Sequence, residues 1–251
     1  MGPIALHGGG EFSAADRPFL LALLAAARRS VASRVRACVP RDEVLDGSGR
    51  IRIALVTTAA AHQRPELAAA NGERAFLLAA ESAGLAVRIE HVPVVDAASA
   101  SSAQLAGRLA GSDLVYLPGG DPGLVVEVLA GTLAWRSIVA ANARGAVVAG
   151  ASAGAMGFAE WTWTPQGGRP GLGLVRGLYV VPHDDHRRAG SLSRDTGVPP
   201  HLGRLGLAEA TGVIGRPGGE WRVAGPGTVS WRPHDGPEQT ARSGEVVRLG
   251  R

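Results

Sequence analysis

The stretch "AVVAGASAGAMGF", residues 146–158, decides how this chain is read. Ala146 to Ala149 form a short apolar run that suits a buried strand. Small residues follow: Gly150, Ala151, Ser152, Ala153, Gly154 and Ala155. An apolar strand, then G-x-S-x-G, then a small-residue helix is the pattern of a nucleophile elbow. Small neighbours let the backbone turn sharply and let the serine oxygen project. Ser152 would stand at the carboxyl end of a central strand and at a helix N-terminus. Open α/β sheets bind ligands there, and free N–H groups favour developing negative charge. The chain holds 36 glycines in 251 residues and much alanine, so a short glycine motif needs independent support.

Outward from this stretch, apolar runs alternate with Ala/Leu-rich helical patterns. "PIALHG" (3–8), "IRIALVTT" (51–58), "LAVRIEHVPV" (85–94) and "DLVYLPGG" (113–120) read as strands. Residues 16–35, 64–84, 101–111 and 122–145 read as helices, the first with Asp16 as its N-cap and Pro18 in the first turn, the third capped by Ser101 or Ser102. Residues 41–50 read as a polar loop. Strands that are apolar almost throughout suit a parallel sheet covered on both faces. The expected fold is therefore α/β: a doubly wound, mostly parallel sheet with helices on both faces. After Phe158 the pattern loosens into a loop or hairpin (159–171), a strand ending at His183, a turn and strand (201–215) and short alternating pieces. Residues 1–251 read as a single domain, with 215–251 a small antiparallel, β-rich extension of it.

Composition excludes several classes. Apolar residues make up 45% and charged residues 19%, as in a globular protein. All 26 basic residues are arginine, yet the net charge is only +4 because acidic residues are interspersed. No long basic run or aromatic-interleaved basic strip occurs, so no nucleic-acid partner is expected. One cysteine, Cys38, allows neither an intrachain disulfide nor a cysteine zinc site. No signal peptide is evident, and no window reaches about 18 uninterrupted apolar residues, so no membrane association is expected. The default compartment is cytoplasmic.

A serine nucleophile needs a base, an orienting carboxylate and oxyanion donors. Among the seven histidines, His183 ends the run "GLYVVPH", so a strand would deliver it to one edge of the sheet. Glu209 begins another strand-like run, and Glu160 is a second option. Ala153 follows the nucleophile and would supply one oxyanion N–H. Gly120, at the end of "DLVYLPGG", would supply the other. "HGGGEF" (7–12) reads as a glycine turn from the first strand into the first helix, with Glu11 either a solvated loop carboxylate, the preferred reading, or a group that supports the catalytic residues. Trp161 and Trp163 would either line a cleft or pack a hairpin.

Assembled, "IALHGGGEF", "DLVYLPGGDPGLVVEVLAGT", "GAVVAGASAGAM", "GLGLVRGLYVVPHDDHR" and "RLGLAEATGVI" resemble the aspartyl dipeptidase (peptidase E) and cyanophycinase family of serine peptidases. That family shares its sheet with class I glutamine amidotransferases. The resemblance implies a Ser152–His183–Glu209 triad, oxyanion donors at Gly120 and Ala153, no cofactor and no metal. It implies a small peptide or isopeptide as substrate, and a homodimer is plausible. Substrate contacts would fall at Asp121, where the dipeptidases commonly carry asparagine, and at Arg187, the best match to the arginines that follow the histidine in cyanophycinases. The usual aromatic after that histidine is here Asp184. A glutamine amidotransferase would need cysteine in the elbow. Two alternatives stay open: a non-catalytic metabolite-binding relative, and an α/β-hydrolase-like esterase using His234.

Overall fold

The computed structural model describes residues 1–36, 50–185 and 197–249. Cys38, most of the expected polar loop, His186, Arg187, Arg188 and Arg194 lie outside them. The parallel strands are β1 (Ile4–His7), β2 (Ile51–Leu55), β3 (Val87–His91), β4 (Leu114–Leu117) and β5 (Val147–Ala151). The chain continues through β6 (Trp161–Thr164), β7 (Gly167–Pro170), β8 (Leu178–Pro182), β9 (Gly203–Leu207), β10 (Gly212–Gly215), β11 (Glu220–Ala224), β12 (Thr228–Arg232), β13 (Gln239–Arg242) and β14 (Val246–Arg248). Two sheets result. The larger runs β14–β11–β10–β1–β5–β4–β2–β3, and the smaller runs β13–β12–β9–β8–β6–β7. Beyond β1 the larger sheet turns antiparallel.

Alternation within the parallel strands explains their continuous apolar character. Ile4, Leu6, Val115, Leu117 and Val148 face one core, while Ala5, Leu114, Tyr116, Val147 and Ala149 face the other. Helices α1 (Arg17–Arg36) and α2 (Pro65–Ser82) close the second core with Phe19, Leu23, Leu24 and Phe76. The first core is closed by α3 (Ala97–Ala100), α4 (Ala103–Ala110), α5 (Pro122–Leu129), α6 (Leu133–Ala143) and α7 (Ala153–Phe158). Leu178, Leu205, Leu207, Val229 and Trp231 of the smaller sheet belong to that same core. Burying both faces of each strand is the dominant favourable term in such a fold.

Some local expectations change. Residues 122–145 are two helices, α5 and α6, bent by 94°. The reason is Thr132, whose hydroxyl accepts the Trp135 N–H at 3.3 Å and starts a new helix. Asp16 does not cap α1 from outside. It is fully buried, and its Oδ2 accepts the Phe12 N–H at 2.9 Å. Ser102 does cap α4. The strands after Gly215 do not form one extension: β11 and β14 continue the larger sheet, and β12 and β13 continue the smaller. Among the described residues no single helix is long and apolar enough to cross a membrane.

One buried ion cluster ties α1, β2 and β4 together. Asp113, with no solvent exposure, accepts from Arg34 at 2.6 Å, from Arg52 Nε at 3.2 Å and from the Arg52 backbone N–H at 2.9 Å. Replacing Asp113 with Ala strands two guanidinium groups that both reach solvent. The expected loss of unfolding free energy is about 3 kcal/mol, the low end for breaking a buried pair, measured by urea denaturation.

Candidate active site

Ser152 joins β5 to α7, and its backbone takes φ 47° and ψ −111°. Such a conformation costs a non-glycine residue about 1–3 kcal/mol and persists only where neighbours hold it. The holding bonds are at hand. The Ser152 N–H donates to His7 O at 2.9 Å, and the Ser152 carbonyl accepts the Met156 N–H at 2.9 Å. Among the described residues three other non-glycine residues have positive φ: Phe12, His183 and Ala210. His183 and Ala210 lie in or beside the segments expected to carry the chemistry, and Phe12 ends the glycine turn after β1.

His183 follows β8, and Glu209 follows β9. These strands are parallel neighbours with Pro182 opposite Leu207, so their carboxyl ends emerge together. The fold brings the expected triad residues into line. Ser152 Oγ lies 3.1 Å from His183 Nε2, and His183 Nδ1 lies 2.9 Å from Glu209 Oε1. With Nδ1–H donating to the carboxylate, Nε2 is left as an acceptor for the serine hydroxyl. The imidazole is about one-third exposed and Glu209 about half, so the cleft is open to solvent.

The turn Gly8–Phe12 is the seat for both partners. Gly8 O accepts the His183 N–H at 2.8 Å, and Gly9 O accepts the Ala210 N–H at 2.7 Å. Gly9 must be glycine. It sits at φ 103°, and a methyl group there would lie 2.3 Å from His183 Cε1. The turn is fastened from below by a fully buried pair. His7 Nε2 stands 3.0 Å from Asp16 Oδ1, a close contact that lacks good hydrogen-bond alignment. His7 Nδ1 accepts the Gly9 N–H over a long 3.4 Å. Among the described residues the Tyr116 hydroxyl has no hydrogen-bond partner; burial first, then the Asp16 and Glu11 carboxylates, pushes its pKa well up, so it stays a neutral phenol.

β4 lies beside β5, with Leu117 opposite Gly150, and its end carries Gly119 and Gly120 next to the serine. Gly120, at φ 146°, packs so tightly that a methyl group would lie 2.1 Å from Ala59 O. Among the described residues neither the Gly120 N–H nor the Ala153 N–H has an acceptor within the protein. The Gly119 N–H is taken: it donates to Glu11 Oε1 at 2.6 Å. For Glu11 the sequence reading preferred a solvated loop carboxylate over a group supporting the site; the structure gives it the supporting contact. Its only signal was its place at the end of "HGGGEF", and the sheet order needed to bring it to β4 is not local.

Other expected residues fall elsewhere. Asp121 caps α5, its Oδ1 accepting the Gly123 N–H at 2.7 Å. Asp184 pairs with Arg204 at 2.8 Å. Glu160 accepts the Gly177 N–H at 2.7 Å and faces His201, so it does not serve His183; that backbone bond, chiefly, holds its carboxyl below the usual range. His234 lies against Asp235, and its ring belongs to no contact with Ser152. Trp161 packs the hairpin side, against Tyr179, Val181 and Leu202. Among the described residues no group of three or more histidine, cysteine, aspartate and glutamate side chains is disposed to hold a metal ion. A concavity of about 890 Å³ lies at the opposite end of the sheet, among Pro3, Arg29, Arg144 and Arg216. The triad geometry, not cavity size, identifies the candidate site.

Replacing Gly9 with Ala should displace the imidazole. Labelling of Ser152 by a serine-reactive phosphonate is expected to slow by more than about tenfold, a misplacement effect on a positioned base. Mass spectrometry of the labelled protein over time measures it.

Comparison with known proteins bears on the family and the fold. Residues 44–191, more than half of the chain, match peptidase family S51. The solved structure of a peptidase from an acI-B1 Actinobacterium superposes with a TM-score of 0.77 at 22% identity, covering 99% of this chain and 97% of that one. A candidate peptidase E protein from Listeria monocytogenes EGD-e superposes with a TM-score of 0.57 at 15% identity, covering 96% of this chain and 98% of that one. At these identities the two structures speak for the fold, which is consistent with the class I glutamine amidotransferase-like arrangement. No curated protein matches. The family match and the shared fold make this chain a member of peptidase family S51, a serine-type peptidase.

Proposed function

We propose that the protein hydrolyses a peptide or isopeptide bond in a small peptide, using Ser152 as nucleophile, His183 as general base and then acid, and Glu209 as the orienting carboxylate. The observation that carries this reading is the unbroken relay of 3.1 Å and 2.9 Å contacts from Ser152 through His183 to Glu209.

His183 Nε2 takes the hydroxyl proton as Ser152 Oγ attacks the scissile carbonyl carbon. Glu209 holds the imidazole in the tautomer that leaves Nε2 free and stabilises the imidazolium once it forms. The carbonyl oxygen becomes an oxyanion, held by the Gly120 and Ala153 N–H groups, which have no competing acceptor within the described residues. His183 then gives its proton to the leaving amine, and the C–N bond breaks. Water, deprotonated by His183, releases the acyl group from Ser152. The open, solvent-reached imidazole suits a short peptide better than an enclosed ligand.

Replacing Ser152 with Ala should lower kcat on a cleaved dipeptide or isopeptide by at least about 10⁴-fold, with the thermal unfolding midpoint retained. Glu209→Gln should lower kcat by about 10²-fold or more while KM moves little. Steady-state kinetics on substrates found in a peptide library measures both. Turnover by Ser152→Ala at the wild-type rate would refute the assignment.

A further inference from the structure

His183 breaks the alternation of β8. Val180 faces the core shared by the two sheets, and Val181 faces the outer side of the smaller sheet with Tyr179 and Leu202. An unbroken strand would turn His183 outward and Asp184 toward the core. The chain does the opposite. At φ 54° His183 redirects the backbone, and its imidazole goes to Ser152. Asp184 folds back over β9, whose Leu205 and Leu207 face the core and whose Arg204 and Gly206 therefore face outward.

There the Asp184 carboxylate meets a fitted receptor. Arg204 grips it with both prongs, Nη2 to Oδ1 at 2.8 Å and Nη1 to Oδ2 at 3.1 Å. The buried Ser230 of β12 donates its hydroxyl to Oδ2 at 3.1 Å and accepts from Arg204 Nη1 at 3.2 Å. Gly206 lies opposite Ser230 in the sheet. A methyl group at Gly206 would overlap both Asp184 Oδ2 and Ser230 Oγ, so the glycine is space kept for the carboxylate. A left-handed histidine persists only where neighbours hold it. Two backbone bonds help: the His183 N–H donates to Gly8 O at 2.8 Å, and the Asp184 N–H to Leu207 O at 2.9 Å. The two-pronged ion pair is the stronger and more directional restraint. Releasing it would let the backbone at His183 relax, and the ring would leave the line between Ser152 and Glu209.

We infer that Asp184, gripped by Arg204 and Ser230, is a positioning residue that holds His183 in its strained conformation and so keeps the imidazole on Ser152 and Glu209. It acts through His183 and not on the substrate. The inference rests on His183 being the base of the proposed reaction, but the first readout of its test does not depend on turnover.

That readout is the tautomer of His183. Long-range proton–nitrogen spectra of protein carrying isotope-labelled histidine report it above the usual histidine titration range, with His183→Ala identifying the signals. The wild-type protein is expected to show the Nδ1–H tautomer, which donates to Glu209. Asp184→Asn and Arg204→Gln should each convert it to a mixture of tautomers. Each should also slow phosphonate labelling of Ser152 about 10- to 100-fold, the cost of displacing a base by about 1 Å. Arg204→Lys keeps the charge but not the fork, and should restore part of both. Amide spectra of the larger sheet should match the wild type in all three variants. Retention of the Nδ1–H tautomer and of the labelling rate in both Asp184→Asn and Arg204→Gln would overturn the inference, as would its absence from the wild type. Loss of amide dispersion throughout the smaller sheet in all three variants would make the cluster a structural tie only, and would overturn it as well. Wild-type protein that the phosphonate fails to label would instead count against Ser152 as nucleophile, and the tautomer would still decide the role of Asp184.

Discussion

The hydrogen bond from the Ser152 N–H to the His7 carbonyl holds the serine in a backbone conformation that a side chain resists. Everything else at the site is arranged around the strand end that supplies this acceptor. The turn that follows His7 offers the carbonyls of Gly8 and Gly9 to the His183 and Ala210 N–H groups. Its Glu11 reaches across to Gly119. The residues proposed as nucleophile, base, carboxylate and oxyanion donors thus all hang on one short turn. That turn is itself anchored by the buried contact between His7 and Asp16. Local strain at four non-glycine residues among the described ones is the counterpart of this convergence, stored where positions must be exact to a fraction of an ångström.

The two sheets divide the work. The larger brings the ends of β1, β5 and β4 side by side, and so sets Ser152 between the glycine turn and the oxyanion segment. The smaller carries β8 and β9, which deliver His183 and Glu209 from adjacent parallel strands. The distance between the serine and its base is therefore set by how the sheets meet. They meet through one continuous apolar core, in which Leu178, Leu205 and Leu207 pack with Ile4, Leu117 and Val148. Close packing of that kind transmits small shifts instead of absorbing them, which is why a core this far from the chemistry still governs it.

Much of the fold was legible from local pattern. The apolar runs at 51–55, 114–117 and 147–151 are strands of the parallel sheet, because a strand buried on both faces has no polar alternation to hide. The elbow at Ser152 and the strand leading to His183 were legible for similar reasons, from small residues and from a run of β-type residues. The break between α5 and α6 was not, because a threonine cap competes with a helical pattern that looks continuous across it. Asp16 was misread as a cap, since only its burial against His7 and Phe12 shows where its carboxylate points. For Glu11 the local sequence could not choose between solvent and a supporting contact, because its partner, Gly119, is 108 residues away.

By itself the sequence determined the parallel sheet and the sharp turn at Ser152, and it singled out one serine, one histidine and one glutamate as candidates for a triad. These follow from side-chain chemistry and from periodicities that a chain carries within a few residues. Only the tertiary structure decided that β8 and β9 belong to a second sheet, that His183 and Glu209 face Ser152, and that Glu11 stands against the oxyanion segment. Those depend on strand order and on contacts between distant segments, which are settled by burying a shared core and by satisfying backbone hydrogen bonds at the strand ends.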